Sequence, residues 1–212
     1  MTGALIPVKN FSLGKTRLSA VLTAVERERL STFMLHHVLQ TLGKVGPLDL
    51  CAVVTGDERA AQIGREYGCE IFWERSPYEL NQAIDWATIT CESGGIKTLL
   101  VLPADLPLLE RQEIEEILAQ ADPESGVVIC PSKEGTGTNA LLRTPPRAIP
   151  AFFGDKSFPL HCQAAKRLGL RCAVLSLPGI SFDLDTPEDL RILKNLSGPY
   201  RIEAQGFPFM VP

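Results

Sequence analysis

Seven apolar runs of strand length alternate with six segments of helical period along this chain. The runs lie at 4–8, 50–55, 70–73, 98–102, 126–130, 139–142 and 171–176, and the helical segments at 25–42, 57–67, 77–91, 109–121, 158–168 and 187–196. Most of the runs are continuously apolar rather than alternating, which suits strands buried on both faces. Strand followed by helix, repeated, predicts an α/β fold with a mostly parallel sheet and helices on both faces. Two helix starts carry their own chemistry. Thr23 ahead of Glu26, and Thr186 ahead of Asp189, each pair a capping hydroxyl with an acidic first turn, and Pro187 suits a first helical position.

The stretch 133–159 breaks the alternation. It is rich in Gly, Pro, Ser and Thr around one short apolar run, and reads as a small β-hairpin excursion plus a functional loop. The last fifteen residues, 198–212, hold three aromatics and three prolines without periodicity. The chain therefore divides into a body, 1–197, and a tail packed on that body or on a second copy, compatible with a homodimer.

Composition excludes several classes. With 21 Lys+Arg against 25 Asp+Glu the net charge is −4, which argues against a strongly basic nucleic-acid binder. At 45% hydrophobic and 22% charged, 212 residues can bury a core as one domain, or at most two small ones. No apolar run approaches the roughly 20 residues that span a bilayer, and the N-terminus lacks a signal-peptide pattern, so no membrane partner and a cytoplasmic location are expected. The six cysteines are scattered, without metal-ligand spacing, and Cys51, Cys130 and Cys172 lie in strand-like runs where a thiol behaves as a small hydrophobe. His36, His37 and His161 fall within helical segments and receive no catalytic role.

In an open parallel sheet, ligands bind beyond the C-terminal strand ends, so the residues that directly follow strands are the informative ones. After the first strand, Lys9, Lys15 and Arg17 place three cations in one loop suited to a polyphosphate. Gly14-Lys15-Thr16 is no P-loop, because that motif needs Gly where this chain has Lys9, and the loop also lacks G-x-G-x-x-G. The fourth run ends at Asp105 between Pro103 and Pro107, setting a hard oxygen ligand where Mg²⁺ would need one; a simple turn before the next helix is the alternative. Asp183 and Asp185, two apart in an extended segment, would face one cation while Phe182 and Leu184 face the core. Helix capping is the competing use of that segment. In the middle loop, Thr138 and Asn139 follow Gly137, and Gly154 and Ser157 precede a helix whose N-terminus favours an anion. An ordinary Gly-rich turn with a serine cap would look similar.

Taken in chain order from residue 5 to about 190, these motifs resemble the 2-phospho-L-lactate guanylyltransferase family, which includes phosphoenolpyruvate guanylyltransferases and serves biosynthesis of the deazaflavin coenzyme F-420. The resemblance implies a single-domain Rossmann-like fold of the nucleotide-diphospho-sugar transferase type. It implies GTP and a small phosphorylated carboxylic acid as substrates, with pyrophosphate released. By matching position, Asp105, Asp183 and Asp185 would coordinate Mg²⁺, while Thr138, Gly154 and Ser157 would bind the acceptor. Lys9, Lys15 and Arg17 would hold the GTP phosphates, with Asp105, Lys15 and Arg17 forming the catalytic set. Asn81, in Glu79-Leu80-Asn81 where the family has Gly-Leu-Asn, would meet the nucleoside. The alternatives are a 3-phosphoglycerate, sugar-phosphate or molybdopterin acceptor, or a GTP-binding regulatory protein without chemistry.

Overall fold

The computed structural model describes residues 1–46, 48–74 and 79–196. The expected helix start at Pro77 and the aromatic tail lie outside the described residues. In chain order the elements are β1 (Thr2–Val8), α1 (Ala24–Leu42), β2 (Leu50–Thr55), α2 (Glu58–Glu66), β3 (Glu70–Trp73), α3 (Leu80–Ser93), β4 (Thr98–Val101) and α4 (Arg111–Ala119), followed by β5 (Gly126–Pro131), β6 (Thr138–Thr144), α5 (Ser157–Arg167), β7 (Arg171–Val174), α6 (Pro178–Ser181) and α7 (Pro187–Asn195). Two 3-10 turns, Phe11–Leu13 and Thr16–Leu18, shape the loop after β1.

The seven strands form one sheet in the order β3-β2-β1-β4-β6-β5-β7. All neighbouring pairs are parallel except those made by β6, which runs antiparallel to both β4 and β5. The segment 133–159, expected as a hairpin excursion, instead contributes one strand, β6, to the main sheet, where it lies between β4 and β5 and is buried along its whole length. Continuous apolar runs are explained by what they face. Ala4, Ile6 and Val8 of β1 pack with α1, α2 and α4 on one side, while Leu5 joins Ala83, Ile84 and Ala87 of α3 on the other. Arg171, Cys172 and Val174 are exposed on β7, an edge strand, so Cys172 is not the buried thiol expected. Cys51 and Cys69, 18 residues apart, meet at 3.0 Å between sulfurs.

Both expected capping boxes are present, with Thr23 and Glu26 closing α1 and Thr186 and Asp189 closing α7 behind Pro187. No helix among the described residues is long and apolar enough to cross a membrane.

Chain order reverses at β1: the chain runs outward through β2 and β3 and returns to β4 on the other side of β1. The crevice between the C-terminal ends of β1 and β4 is therefore the topological switch point of the sheet, where α/β folds place their ligands.

Candidate active site

A cleft of ≈ 400 Å³ opens at that switch point, lined by Lys9 to Phe11 and Leu13 to Arg17 from the loop after β1, by Pro103 to Asp105 after β4, and by Leu80, Phe153 and Asp185. This volume falls within the range of small-ligand sites. One apolar cluster holds its acidic and basic walls together: Leu18, Leu22, Leu30 and Met34 pack against Phe182, Leu184, Leu190 and Leu193. Phe182 and Leu184 are buried, so Asp183 and Asp185 project from the other side of the extended segment as the alternation requires.

The two walls meet at Lys15. Its ammonium lies 2.7 Å from Asp105 Oδ2 and 2.6 Å from Asp185 Oδ1, with its side chain 8% exposed. Burial alone would depress the pKa of this ammonium, but the charges of Asp105 and Asp185 outweigh it and raise the pKa above the ordinary 10.5. Lys15 reaches this position from a left-handed backbone (φ 53°), a strained conformation of the kind that collects at functional sites. Lys9 and Arg17 stand exposed on the cleft wall.

Asp183 takes a different partner. Asn139 Nδ2 donates to its Oδ1 at 3.1 Å and also reaches the carbonyls of Ile180 and Ser181. Burial pushes the Asp183 carboxyl up from 3.8; the Asn139 bond opposes this, and Asp105 and Asp185 add to it. Asn139 arrives there through a slip in register: Cys130 pairs with Ala140 but Pro131 with Thr138, leaving Asn139 as the extra residue of a bulge.

The three carboxylates are therefore not a ready-made cluster, and no group of three or more acidic, Cys or His side chains poised for a metal exists among the described residues. The donor chemistry nevertheless fits Mg²⁺. A cation, the Lys15 ammonium, already sits between Asp105 and Asp185, and Mg²⁺ is commonly held by only one or two carboxylates plus substrate phosphates.

Asp185 is fixed from behind. Asp189 Oδ2 accepts the Asp185 and Thr186 amides at 2.9 and 2.7 Å, and its other oxygen pairs with Lys133, whose ammonium lies 4.8 Å from the Phe182 ring centroid. Glu113 anchors the approach to this segment: its Oε1 accepts the Gly179 amide at 2.6 Å, and burial raises its carboxyl pKa. The sequence marked Asp189 as a helix cap only. Lys133 carried no role and Asn139 was grouped only with the anion-binding loop, because their partners lie more than 40 residues away.

Thr138, Gly154 and Ser157 come together around the start of α5. Thr138 Oγ1 lies 2.9 Å from His161 Nδ1, and Ser157, one turn before His161, is buried with a hydroxyl that has no partner among the described residues. Gly154 is exposed at φ +122°, a backbone that favours glycine. Asn81 lies against the loop before Gly154: its Oδ1 accepts the Phe153 amide at 2.7 Å and its Nδ2 donates to the Phe153 carbonyl at 3.0 Å, so it anchors that loop. His161 was assigned no role from sequence. The signal that could have found it is its i+4 spacing from Ser157, which puts both on one helix face.

Burial, assisted by the nearby Arg143 charge, lowers the His161 pKa from 6.5 to about 4. The folded state thus excludes a proton that the unfolded state accepts below its higher pKa, and the stability present above about pH 6.5 is lost as pH falls toward 4. This loss is expected to be on the order of 2–3 kcal/mol. His37, also depressed by burial, acts in the same direction. Urea midpoints at pH 7 and 4.5 measure the loss, and His161→Gln should shrink it.

Residues 2–197 match the family described as guanylyl transferase CofC like. The chain belongs to this guanylyltransferase family. It is 39% identical over 195 residues to a phosphoenolpyruvate guanylyltransferase of Rubrobacter xylanophilus, covering 92% of this chain and 94% of that one. It is 35% identical over 198 residues to a 3-phospho-D-glycerate guanylyltransferase of Colwellia psychrerythraea, covering 93% of each. With a 2-phospho-L-lactate guanylyltransferase of Methanothermobacter thermautotrophicus it shares 34% over 189 residues, 89% of this chain and 82% of the relative. Among solved structures, one described as a nucleotide-diphospho-sugar transferase from Desulfovibrio desulfuricans G20 superposes with TM-score 0.75 at 16% identity, over 96% of this chain and 91% of that one. At such identity the likeness concerns the fold, and the fold is the one expected. The non-catalytic reading gives way: this CofC-like protein is a nucleotidyltransferase.

Proposed function

We propose that this CofC-like guanylyltransferase moves GMP from GTP onto the phosphate of phosphoenolpyruvate or 2-phospho-L-lactate, releasing pyrophosphate, in the biosynthesis of coenzyme F-420. The observation that carries this reading is the junction of Lys15 with Asp105 and Asp185 at the switch point, joined through Asn139 and Asp183 to the strand bearing Thr138.

An acceptor phosphate oxygen forms a bond to the α-phosphorus of GTP while the bond to the bridging oxygen of the β-phosphate breaks. A phosphate monoester is largely ionised at neutral pH, so no strong general base is needed. What the reaction needs is positioning of two anions and neutralisation of their charge. Lys9, Lys15 and Arg17 bind the triphosphate from the loop after β1. Asp105 and Asp185, with Asp183 beside them, would hold Mg²⁺, which would supply charge neutralisation on the phosphates. Thr138, Ser157 and the backbone at Gly154 orient the acceptor, helped by the N-terminus of α5. Asn81 acts by holding the Phe153 turn that leads to Gly154.

A 3-phosphoglycerate acceptor is the second reading, favoured by the Colwellia relative at nearly the same identity. Pyrophosphate release from GTP and Mg²⁺, run with each of the three acids, tests both. Release with GTP and one acid is expected, abolished by chelation, with ATP slower by about tenfold or more. Release that ignores the acid, or that runs equally well with ATP, would overturn the reading.

A further inference from the structure

One hydrogen bond of defined direction sets the tautomer of His161. The ring is fully buried, between Phe152 and Phe153 with centroids 5.6 and 5.4 Å away. The Phe152 amide donates to Nε2 at 3.0 Å, so that nitrogen must present its lone pair. An imidazolium would set N–H against N–H there. The ring is therefore neutral with its proton on Nδ1, and Nδ1–H donates to Thr138 Oγ1 at 2.9 Å. Having accepted that bond, the Thr138 hydroxyl keeps its own proton to donate elsewhere, and no acceptor takes it among the described residues. The orphaned hydroxyl of Ser157 lies one turn away on the same face of α5. Two hydroxyls with protons to donate, both near the start of α5, offer the kind of donors that a small carboxylate or phosphate takes.

We propose that His161 is a positioning residue for the acceptor acid: its Nδ1–H holds the Thr138 oxygen in place and leaves the hydroxyl proton free to donate to the anion, and its Nε2 pins the turn at Phe152 that leads to Gly154. Asn81 holds the next residue of that turn by both ends of the Phe153 peptide. The inference rests on the proposed role of Thr138 in acceptor binding. Left to rotate, a lone hydroxyl can spend its proton on any nearby acceptor; one held as an acceptor by a buried imidazole N–H keeps that proton pointed away from the ring and free for an anion.

The test compares steady-state kinetics of His161→Leu, His161→Gln, Thr138→Val and the double variant His161→Leu/Thr138→Val, varying the acid and GTP separately. His161→Leu should raise the KM for the acid by about tenfold, the effect of misdirecting one buried hydrogen bond, and leave the KM for GTP within about twofold. His161→Gln should recover most of the loss, since its amide oxygen can accept from Phe152 while its NH₂ donates to Thr138. The double variant should be no worse than the poorer single one, because both break the same bond. Equal rises in both KM values, a glutamine no better than leucine, or multiplicative effects would overturn the proposal. A normal acid KM in Thr138→Val would overturn the acceptor assignment itself, and the proposal with it; an impaired Thr138→Val beside a normal His161→Leu would overturn the proposal alone. Nitrogen-15 shifts of His161 in the unaltered protein give an answer that does not depend on variants folding. The Nδ1-protonated neutral ring should persist between about pH 5 and 8, whereas an Nε2–H tautomer or an imidazolium in that window contradicts it.

Discussion

Asp105→Asn should lower turnover with GTP by on the order of 10²–10³-fold or more while the protein stays folded. The substitution keeps the shape of the side chain, and the backbone carbonyl of Asp105 still accepts the Leu184 amide at 3.1 Å. What it removes is one of the two negative charges that hold the Lys15 ammonium, at 2.7 Å. Lys15 would then keep a charged partner only in Asp185, and the contact that ties the loop after β1 to the end of β4 would weaken to a hydrogen bond on a neutral amide. The hard oxygen available to Mg²⁺ would fall to a neutral amide, a weaker ligand. Thermal melting separates the cases: a melt close to that of the unaltered protein with turnover lost supports the assignment, and near-normal Mg²⁺-dependent turnover rejects it.

The second large effect is on the scaffold. Gly179→Ala should destabilise the fold by about 3 kcal/mol, because a Cβ there falls onto the Leu108 carbonyl oxygen and the Glu113 carboxylate. Neither can move freely: one is backbone, and the other is buried and bonded to the Gly179 amide. For a chain of this size that loss lowers the melting temperature by roughly 6–12 °C. The four-residue α6 runs straight into Phe182 and the Asp183–Asp185 segment, so nucleotide binding should weaken as well. Gly46→Ala, whose Cβ meets nothing within 4 Å, is the control and should change stability by no more than about 0.5 kcal/mol.

The parts of this molecule that were legible in the sequence are those set by local chemistry or by burial on both faces. β1, β2 and β4 could be read because each lies in a parallel sheet between helices and is apolar throughout. The starts of α1 and α7 could be read because capping needs only residues three apart. Lys15, Asp105 and Asp185 could be singled out because each follows a strand or a turn at the crevice, although nothing in the spacing indicated that the lysine would bridge the two carboxylates.

What escaped depended on pairings between distant segments. The short run around Leu141 reads the same whether it forms a separate hairpin or the antiparallel strand between β4 and β5. Only its partners on both sides decide, and they lie far away in sequence. Asn81 could not be placed because an amide at the start of a helix can turn to a ligand or to a neighbouring loop, and here Phe153, 72 residues on, takes both its ends. His161 was invisible for a similar reason: periodicity gives the buried face of α5 but not the hydroxyl and amide that meet the ring. Lys133 supports Asp185 only through Asp189, a connection that exists once β5 and α7 have been brought together.

The most direct test of the central claim is phosphorus NMR of the product formed from GTP, Mg²⁺ and whichever of the three acids releases pyrophosphate. Attack on the α-phosphorus predicts a pair of mutually coupled diphosphate resonances, one from GMP and one from the acid, appearing in step with free pyrophosphate. Formation of GDP or of free GMP, with the phosphorylated acid unchanged, would show that the cleft hydrolyses nucleotide instead of transferring it and would contradict the account.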